Sequence, residues 1–370
     1  MKSFSEANLV KKTINVHGYD MEERNCADRI SGKMDPRTEL ASKATYTGFL
    51  ENPNQYSEEL QANMRRILGP PEPEKYDKLS YMRYTFGWRS SDLSAGVGKK
   101  RFILSAPSGP FAVWQYESSE KTAGCPCVIF IHGGGFVAGD IETVENQCKL
   151  IAQKMGGIVF SIDYPLAPEY RYPSCFDACQ ATVDWVYANA ETFGIDNSRI
   201  GVAGDSAGGH LALSLALADR NNKQRKINYQ CLIYPKVSDS NPGEEYYFWD
   251  QNLYDNPENN AIIDIQIRAI GQMTSEIRSW LLPEGSEEYK KDLAPIEAGC
   301  EGLCKTLLVT VEYDYLRAEC DFYFKMLKDA GVDARAIRYG GLFHGTFDRL
   351  GYAPQVEDII DEIANDMQKL

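Results

Sequence analysis

The chain is poor in basic residues and in histidine, and it has no long apolar run. Lysine and arginine number 39 against 53 aspartates and glutamates, so the formal net charge is −14. Nucleic acids and anionic lipid surfaces are themselves negatively charged, and we therefore expect neither as a partner. No stretch approaches the roughly 18 consecutive apolar residues of a membrane-spanning helix, so no transmembrane segment is predicted.

The sequence signatures of a bound metal are also missing. No Cys-x-x-Cys pair and no His-Glu-x-x-His segment occurs among the ten cysteines and four histidines. Three cysteine pairs are spaced so that they could share a face of a strand or helix: Cys125/Cys127, Cys175/Cys179 and Cys300/Cys304. Metal ligation by these pairs is the weaker alternative, because a free cysteine usually serves as a small buried hydrophobic residue. We expect no metal and no cofactor.

The first twelve residues lack the apolar core of a secretory signal, since they are polar and charged. The chain of 370 residues exceeds one ordinary domain, and its 43% hydrophobic content is enough for a large core. Ten cysteines in a chain without a signal indicate free thiols in a reducing compartment. We therefore expect a cytoplasmic protein.

The most informative stretch is the pentapeptide GDSAG at 204–208. An apolar run, RIGVA, precedes it and predicts a short buried strand, and a proline-free run of small residues predicts a helix after it. A serine between glycines at such a strand-to-helix turn is typical of a nucleophile elbow, where a Cβ at the glycine positions would collide with the neighbouring strand and helix. Ser206 is therefore the candidate nucleophile. The alternative is a glycine-rich helix start with a solvated serine.

A histidine and three glycines, HGGG, follow a second buried apolar run at 127–131. Glycines let backbone N–H groups come within about 3 Å of the oxyanion that forms in acyl transfer. We expect the N–H groups of Gly133, Gly134 and Ala207 to be these donors, with Gly135 as the substitute for one of the first two.

The same glycines fit a dinucleotide-binding loop, with Asp163 placed where a ribose-binding acid belongs. Such a loop opens a helix at once, whereas the predicted helix N-cap here is Asp140. The dinucleotide interpretation is therefore the weaker one.

Two further predicted strands end in residues that complete the acyl-transfer chemistry. LLVTVEY is followed by Asp314, and AIRYGGLF is followed by His344. Parallel strands bring their carboxyl ends to one edge of a sheet, so Ser206, Asp314 and His344 can meet there, in the chain order that this chemistry uses. We expect His344 to act as the base and Asp314 to orient its ring.

The other three histidines have structural explanations. His17 lies in a polar stretch and is expected to be solvated. His132 is expected to shape the glycine loop through hydrogen bonds. His210 comes one helical turn after Ser206, and we expect the helix to carry it away from the hydroxyl and under the sheet.

Together these segments resemble the hormone-sensitive-lipase family of α/β-hydrolases, which includes many bacterial carboxylesterases and acetyl esterases. The HGGG segment is similar to the oxyanion motif of that family, and GDSAGG is identical to the elbow of its commonest branch. Three further segments are similar to the family: DYPLAPE at 163–169, DYLR at 314–317 and HG at 344–345. The resemblance runs from about residue 100 to the C-terminus.

The resemblance implies an α/β-hydrolase fold, with a mostly parallel central sheet that helices cover on both faces and a cap over the active site. Alternating strand and helix patterns between about 125 and 235 favour the same sheet. The predicted boundaries are 1–100 and 238–300 for the cap, and 101–237 and 301–370 for the catalytic domain. Aromatic residues at 81–88 and 246–249 either pack the cap against the sheet or narrow the substrate pocket.

The resemblance also implies a serine carboxylesterase that hydrolyses short-chain esters, acetyl to hexanoyl, through an acyl-enzyme intermediate. The expected partner is a small-molecule ester, and a homodimer stays open. An amidase or peptidase on the same fold is an alternative, because the same residues serve both reactions. A non-catalytic receptor for a small ligand is another alternative, against which the complete set of candidate residues counts.

Overall fold

The computed structural model describes residues 9–35, 49–55, 57–240, 243–256, 261–283, 285–286, 289 and 291–370. Within these residues the chain forms a ten-stranded sheet. The strands are β1 (Leu9–Val16), β2 (Tyr19–Cys26), β3 (Val97–Ala106), β4 (Gly109–Ser118), β5 (Cys125–Ile131), β6 (Ile158–Asp163), β7 (Ile195–Asp205), β8 (Tyr229–Ile233), β9 (Lys305–Tyr313) and β10 (Ala334–Phe343).

The sheet is parallel over seven neighbouring strands, in the order β2-β10-β9-β8-β7-β5-β6. Beyond β6, strands β4 and β3 continue it in antiparallel fashion, and β1 pairs antiparallel with β2 at the other edge. Every residue of β5 and β8 is buried, as expected for parallel strands covered on both faces. The predicted mostly parallel sheet is confirmed, and β3 and β4 form an antiparallel hairpin.

Helices cover both faces of the sheet. They are α1 (Glu58–Leu68), α2 (Lys78–Thr85), α3 (Ile141–Met155), α4 (Ser174–Ala188), α5 (Ala190–Phe193), α6 (Ala207–Asn221), α7 (Ala261–Leu281), α8 (Arg317–Asp329) and α9 (Pro354–Gln368). Successive side chains of β5 enter different cores, because neighbouring residues of a strand point to opposite faces. Ile129 packs in the core beneath α4, α6 and α8, and Phe130 packs in the core beneath α3 and α9.

The glycine loop lies between β5 and α3, and it does not open the helix. The α3 helix begins at the N-cap Asp140, whose side chain accepts a hydrogen bond from the Thr143 N–H at 3.0 Å. It ends at Gly156, which has the left-handed conformation that glycine adopts easily (φ 62°). The predicted N-cap is confirmed, and the geometry of a dinucleotide-binding loop is absent from this segment.

The N-terminal hairpin lies in the sheet, whereas the prediction placed it in the cap. Residues 9–26 belong to the sheet, since β2 runs parallel to β10 with Glu22 opposite Ile337. Arg24 anchors the hairpin through an ion pair with Glu362 of α9 at 2.7 Å. The hairpin lies at the edge of the sheet and is partly exposed, so its sequence is rich in charged residues and lacks the apolar run that reveals a buried strand.

Other parts of the predicted cap lie over the carboxyl edge of the sheet. Helix α1 begins at the N-cap Ser57 and lies in the first predicted cap segment, 1–100, and α7 lies in the second, 238–300. Lys78 of α2 forms an ion pair with Glu276 of α7. Residues 1–8 and 36–48 of the predicted cap lie outside the described residues, and the division into cap and catalytic domain stays a prediction.

Candidate active site

Ser206 lies at the turn from β7 to α6 with the unusual backbone angles φ 55° and ψ −117°. A Cβ at Gly204 would lie 2.4 Å from the carbonyl oxygen of Gly208, and a Cβ at Gly208 would lie 2.0 Å from that of Ile131. Both distances are far below van der Waals contact, so the turn needs glycine at these two positions. The predicted elbow is present, and it holds Ser206 at the carboxyl edge of the sheet.

The structure brings the three predicted residues into one hydrogen-bonded chain. His344 Nε2 lies 2.7 Å from Ser206 Oγ, and His344 Nδ1 lies 2.8 Å from Asp314 Oδ2. A carboxylate can only accept, so Nδ1 carries the proton and Nε2 accepts the proton of the serine hydroxyl. The backbone N–H of Leu316 donates to the other oxygen of Asp314 at 2.9 Å, which holds that fully buried carboxylate in place.

The surroundings of His344 favour its protonated form. Burial alone would lower the pKa of its imidazole, but the carboxylate of Asp314 raises it, both through its charge and through the hydrogen bond. The carboxyl groups of Asp205 and Glu319 raise it further. The net result is a pKa above the ordinary histidine value, which suits a base that must accept the proton of a hydroxyl.

The remaining histidines in the buried part of the chain have other partners. His132 Nδ1 lies 2.7 Å from the carbonyl oxygen of Gly133, and its ring stacks on Tyr164 with centroids 4.3 Å apart. His210 Nδ1 lies 3.0 Å from the carbonyl oxygen of Lys236, and burial lowers its pKa to about 4. His210 lines the same cavity as Ser206 and is not hidden under the sheet as expected, yet it bonds elsewhere and stays neutral.

The glycine loop requires one correction. The N–H of Gly133 donates to Asp205 Oδ1 at 2.9 Å and is therefore not free to receive an oxyanion. Gly134, Gly135 and Ala207 line the cavity beside Ser206. Three glycines in a row make Gly133 look equivalent to its neighbours in the sequence. The partner that occupies its N–H is Asp205, which comes from a distant part of the chain. Gly135, the predicted substitute, takes the place of Gly133 as the candidate donor.

Asp205 is a functional candidate that the sequence did not reveal. Its carboxyl group is half-buried, and the loss of solvation together with the nearby Asp348 raises its pKa to about 7, although the hydrogen bond from Gly133 opposes this change. In the motif it occupies the variable position before the serine, so no pattern singles it out. Because Asp205 belongs to the elbow and accepts the hydrogen bond from Gly133, it ties the elbow to the glycine loop.

A cavity of about 330 Å³ opens beside Ser206 and His344. Its walls come from α2 and α7 on one side and from the loops at the sheet edge on the other. Ten large apolar side chains line it: Met82, Phe86, Phe136, Ile270, Met273, Ile277, Leu281, Leu293, Leu316 and Phe343. This is a site that can hold a small, largely apolar molecule against the serine.

The aromatic residues of the cap mostly pack rather than line this cavity. Trp88 is buried and meets Tyr352 edge to face, with centroids 5.2 Å apart. Trp249 stacks on Tyr315 at 5.9 Å, and together with Tyr247 it lines a separate cleft of about 40 Å³. Phe86 does line the main cavity, where its ring can narrow the space for a substrate.

The described ranges contain neither a candidate metal site nor a helix suited to cross a membrane. No group of three or more histidine, cysteine, aspartate or glutamate side chains there could hold a metal ion. No helix in that part of the chain combines the length and apolar character needed to cross a membrane. All ten cysteines are free thiols, and nine of them are buried.

Comparison with known proteins agrees with the fold. A family model described as alpha/beta hydrolase fold matches residues 128–348. The esterase LipI of Mycobacterium tuberculosis is 32% identical over 257 residues, which cover 68% of this chain and 75% of LipI. An arylesterase of Saccharolobus solfataricus is 30% identical over 248 residues, which cover 65% of this chain and 75% of that enzyme.

A solved structure gives the same answer. The crystal structure of a thermophilic carboxylesterase cloned from a metagenomic library superposes with a TM-score of 0.66 at 29% identity. The match covers 75% of this chain and 90% of that one. The chain therefore belongs to the α/β-hydrolase family, in the group related to hormone-sensitive lipase that the motifs predicted, and it is a hydrolase.

Proposed function

We propose that this protein is a serine carboxylesterase that hydrolyses short-chain carboxylic esters through an acyl-enzyme intermediate. The observation that carries the proposal is the chain of hydrogen bonds from Ser206 through His344 to Asp314, at 2.7 and 2.8 Å, on the wall of an apolar cavity. The esterase and carboxylesterase names of the relatives support the same reaction.

In the first step Ser206 Oγ attacks the carbonyl carbon of the ester while His344 Nε2 takes the hydroxyl proton. The new C–O bond places a negative charge on the former carbonyl oxygen, and Asp314 stabilises the imidazolium. The N–H groups of Gly134, Gly135 and Ala207 are the proposed donors to that oxyanion. Loss of one such donor typically costs about 3 kcal/mol of transition-state stabilisation.

In the second step the ester C–O bond breaks, and His344 gives its proton to the departing alkoxide. Water then enters, His344 removes a proton from it, and the resulting attack on the acyl carbon releases the carboxylic acid and restores Ser206. Every proton transferred in this reaction passes through Nε2 of His344, because Nδ1 is held by the hydrogen bond to Asp314.

Small acyl groups suit the cavity, because about 330 Å³ lies near the lower end of the range for ligand pockets, roughly 300–1,000 Å³. We expect kcat/KM on p-nitrophenyl esters to peak between acetate and hexanoate and to fall at least about tenfold by dodecanoate. We also expect p-nitroanilides of the same acids to react far more slowly. A preference for the anilides would favour an amidase, and a preference for emulsified long-chain lipid would contradict a small pocket.

The proposed base sets the pH dependence. Only neutral His344 can accept a proton, and its pKa lies above the ordinary value of about 6.5. We therefore expect kcat/KM to fall about tenfold per pH unit below that raised pKa. Glu319→Gln removes one carboxyl group that raises the pKa, so the acidic limb of the pH profile should move to lower pH.

Glu297→Gln is the matched control, because Glu297 is an exposed carboxylate. Its pH profile should coincide with that of the wild type. An unchanged acidic limb in Glu319→Gln, or a shift to higher pH, would contradict this account of the charges around His344.

We also propose a cytoplasmic setting. The ten free cysteines support a reducing compartment, since cysteines of proteins in oxidising compartments commonly pair in disulfides.

A further inference from the structure

One cluster of charged residues on the cavity wall consists of Lys236, Asp239 and Arg278. Arg278 lies on α7, and the other two lie in the segment that follows β8. Arg278 Nη1 is 2.7 Å from Asp239 Oδ2, and Lys236 Nζ is 3.2 Å from Asp239 Oδ1. Asp239 is nearly buried, and the side chains of Arg278 and Lys236 are 28% and 21% exposed. Among the ion pairs of the described residues, a single carboxylate thus pairs with both cations.

The neighbouring carboxyl group does not supply a full second counter-charge. Glu319 lies near Lys236, and it accepts hydrogen bonds from the N–H groups of Val237 and Ser238 at 2.7 and 3.3 Å. Burial raises its pKa to about 7, so at neutral pH it is only partly ionised. Counted over the described residues, the cluster therefore carries surplus positive charge, within a chain whose net charge is −14.

The other charged part of the cavity is balanced. Arg349 Nε lies 3.3 Å from Asp348 Oδ1, so this cation has its own carboxylate, and Asp205 adds a further carboxyl group nearby. His210, beside Lys236, has a pKa lowered to about 4 and stays neutral. A negatively charged group entering the cavity would therefore be stabilised at the Lys236–Arg278 end and not at the other.

We propose that Lys236 and Arg278 bind a carboxylate of the substrate, so that the preferred substrates are esters that carry a second, ionised acid group. The inference rests on the proposed ester hydrolysis and deepens it by naming the substrate class. The acid group can sit on the acyl part, as in a monoester of a dicarboxylic acid, or on the alcohol part, as in an ester of a hydroxy acid. An ion pair between the substrate and charged residues of the cavity wall acts chiefly on selectivity between substrates.

A purely structural role would make a different prediction. The Arg278–Asp239 pair also ties α7 to the segment after β8, so its loss could simply loosen the cap. Lys78 offers a matched comparison, because it pairs with Glu276 on the same helix and does not line the cavity. Lys78→Gln removes an anchor of α7 without changing the charge of the cavity wall.

The experiment compares two substrate pairs in a pH-stat. Monomethyl succinate against methyl pentanoate tests an acid on the acyl part, and 4-acetoxybenzoate against phenyl acetate tests one on the alcohol part. In one of these pairs the wild type should prefer the carboxylate-bearing ester by about tenfold or more in kcat/KM. Lys236→Gln and Arg278→Gln should each lower that preference by about tenfold, mainly through KM, and Lys78→Gln should leave the preference unchanged.

Two results would overturn the proposal: a wild type that prefers the uncharged ester in both pairs, or glutamine variants that lose activity on both members of a pair equally. Should Arg278→Gln fail to fold, the wild-type preference and Lys236→Gln decide the matter. Failure of the proposed function looks different, since the wild type and Ser206→Ala would then hydrolyse the uncharged esters at the same rate.

Discussion

Replacing Ser206 by alanine is expected to lower kcat on p-nitrophenyl butyrate by a factor on the order of 10⁴ or more. The hydroxyl is the atom that would form the acyl-enzyme bond, and nothing else lies 2.7 Å from His344 Nε2 in the hydrogen bonds of the described residues. The close contacts that hold the elbow belong to Gly204 and Gly208 and are unchanged in this variant. Its melting temperature and circular dichroism should therefore match those of the wild type.

Ser214→Ala is the matched control for that experiment. Ser214 lies on α6, the helix that begins at the elbow, and it does not line the cavity. Its kcat should stay close to that of the wild type. A purified Ser206→Ala protein that keeps a tenth of the wild-type activity would show that another group performs the attack.

Removal of the base should have an equally large effect. His344→Ala is expected to lower kcat about as much as Ser206→Ala, and the double variant should be no worse than either, because these residues act as one unit. The comparison of kcat for the three proteins measures this directly. Two effects that simply multiplied would mean that Ser206 and His344 act independently.

His210→Ala separates the two histidines of the cavity. His210 is buried, packs edge to face against Phe136 at 5.3 Å and contacts the Lys236 carbonyl at 3.0 Å, so its removal should destabilise the fold by about 1–3 kcal/mol. Its effect on kcat should stay below that of His344→Ala by a factor of about 100 or more. The reverse order of the two kcat values would mean that the base is His210.

The central strands and the residues at their ends could be predicted because they obey local rules. Strands β5, β8 and β9 lie between covered faces, so their sequences are apolar runs that stand out from the rest. Ser206, Asp314 and His344 each follow such a strand, and parallel pairing alone brings them to one edge of the sheet.

The features that prediction missed depend on partners far away in the chain. The β1–β2 hairpin lacks an apolar run, and its place in the sheet rests on pairing with β10, more than 300 residues later. The N–H of Gly133 is occupied because Asp205, 72 residues away, lies against it. Neither contact leaves a trace in the local composition.

The sequence by itself determined three features: the chain order of Ser206, Asp314 and His344 after their strands, the glycines of the elbow, and the excess of negative charge. These follow from composition, spacing and the conformational freedom of glycine. Only the tertiary structure decided which backbone N–H groups stay free, which aromatic side chains reach the cavity, and that Lys236 and Arg278 share Asp239 on its wall. The physical reason is that hydrogen-bond occupancy and local charge balance depend on distances of a few ångströms between segments that are remote in the chain.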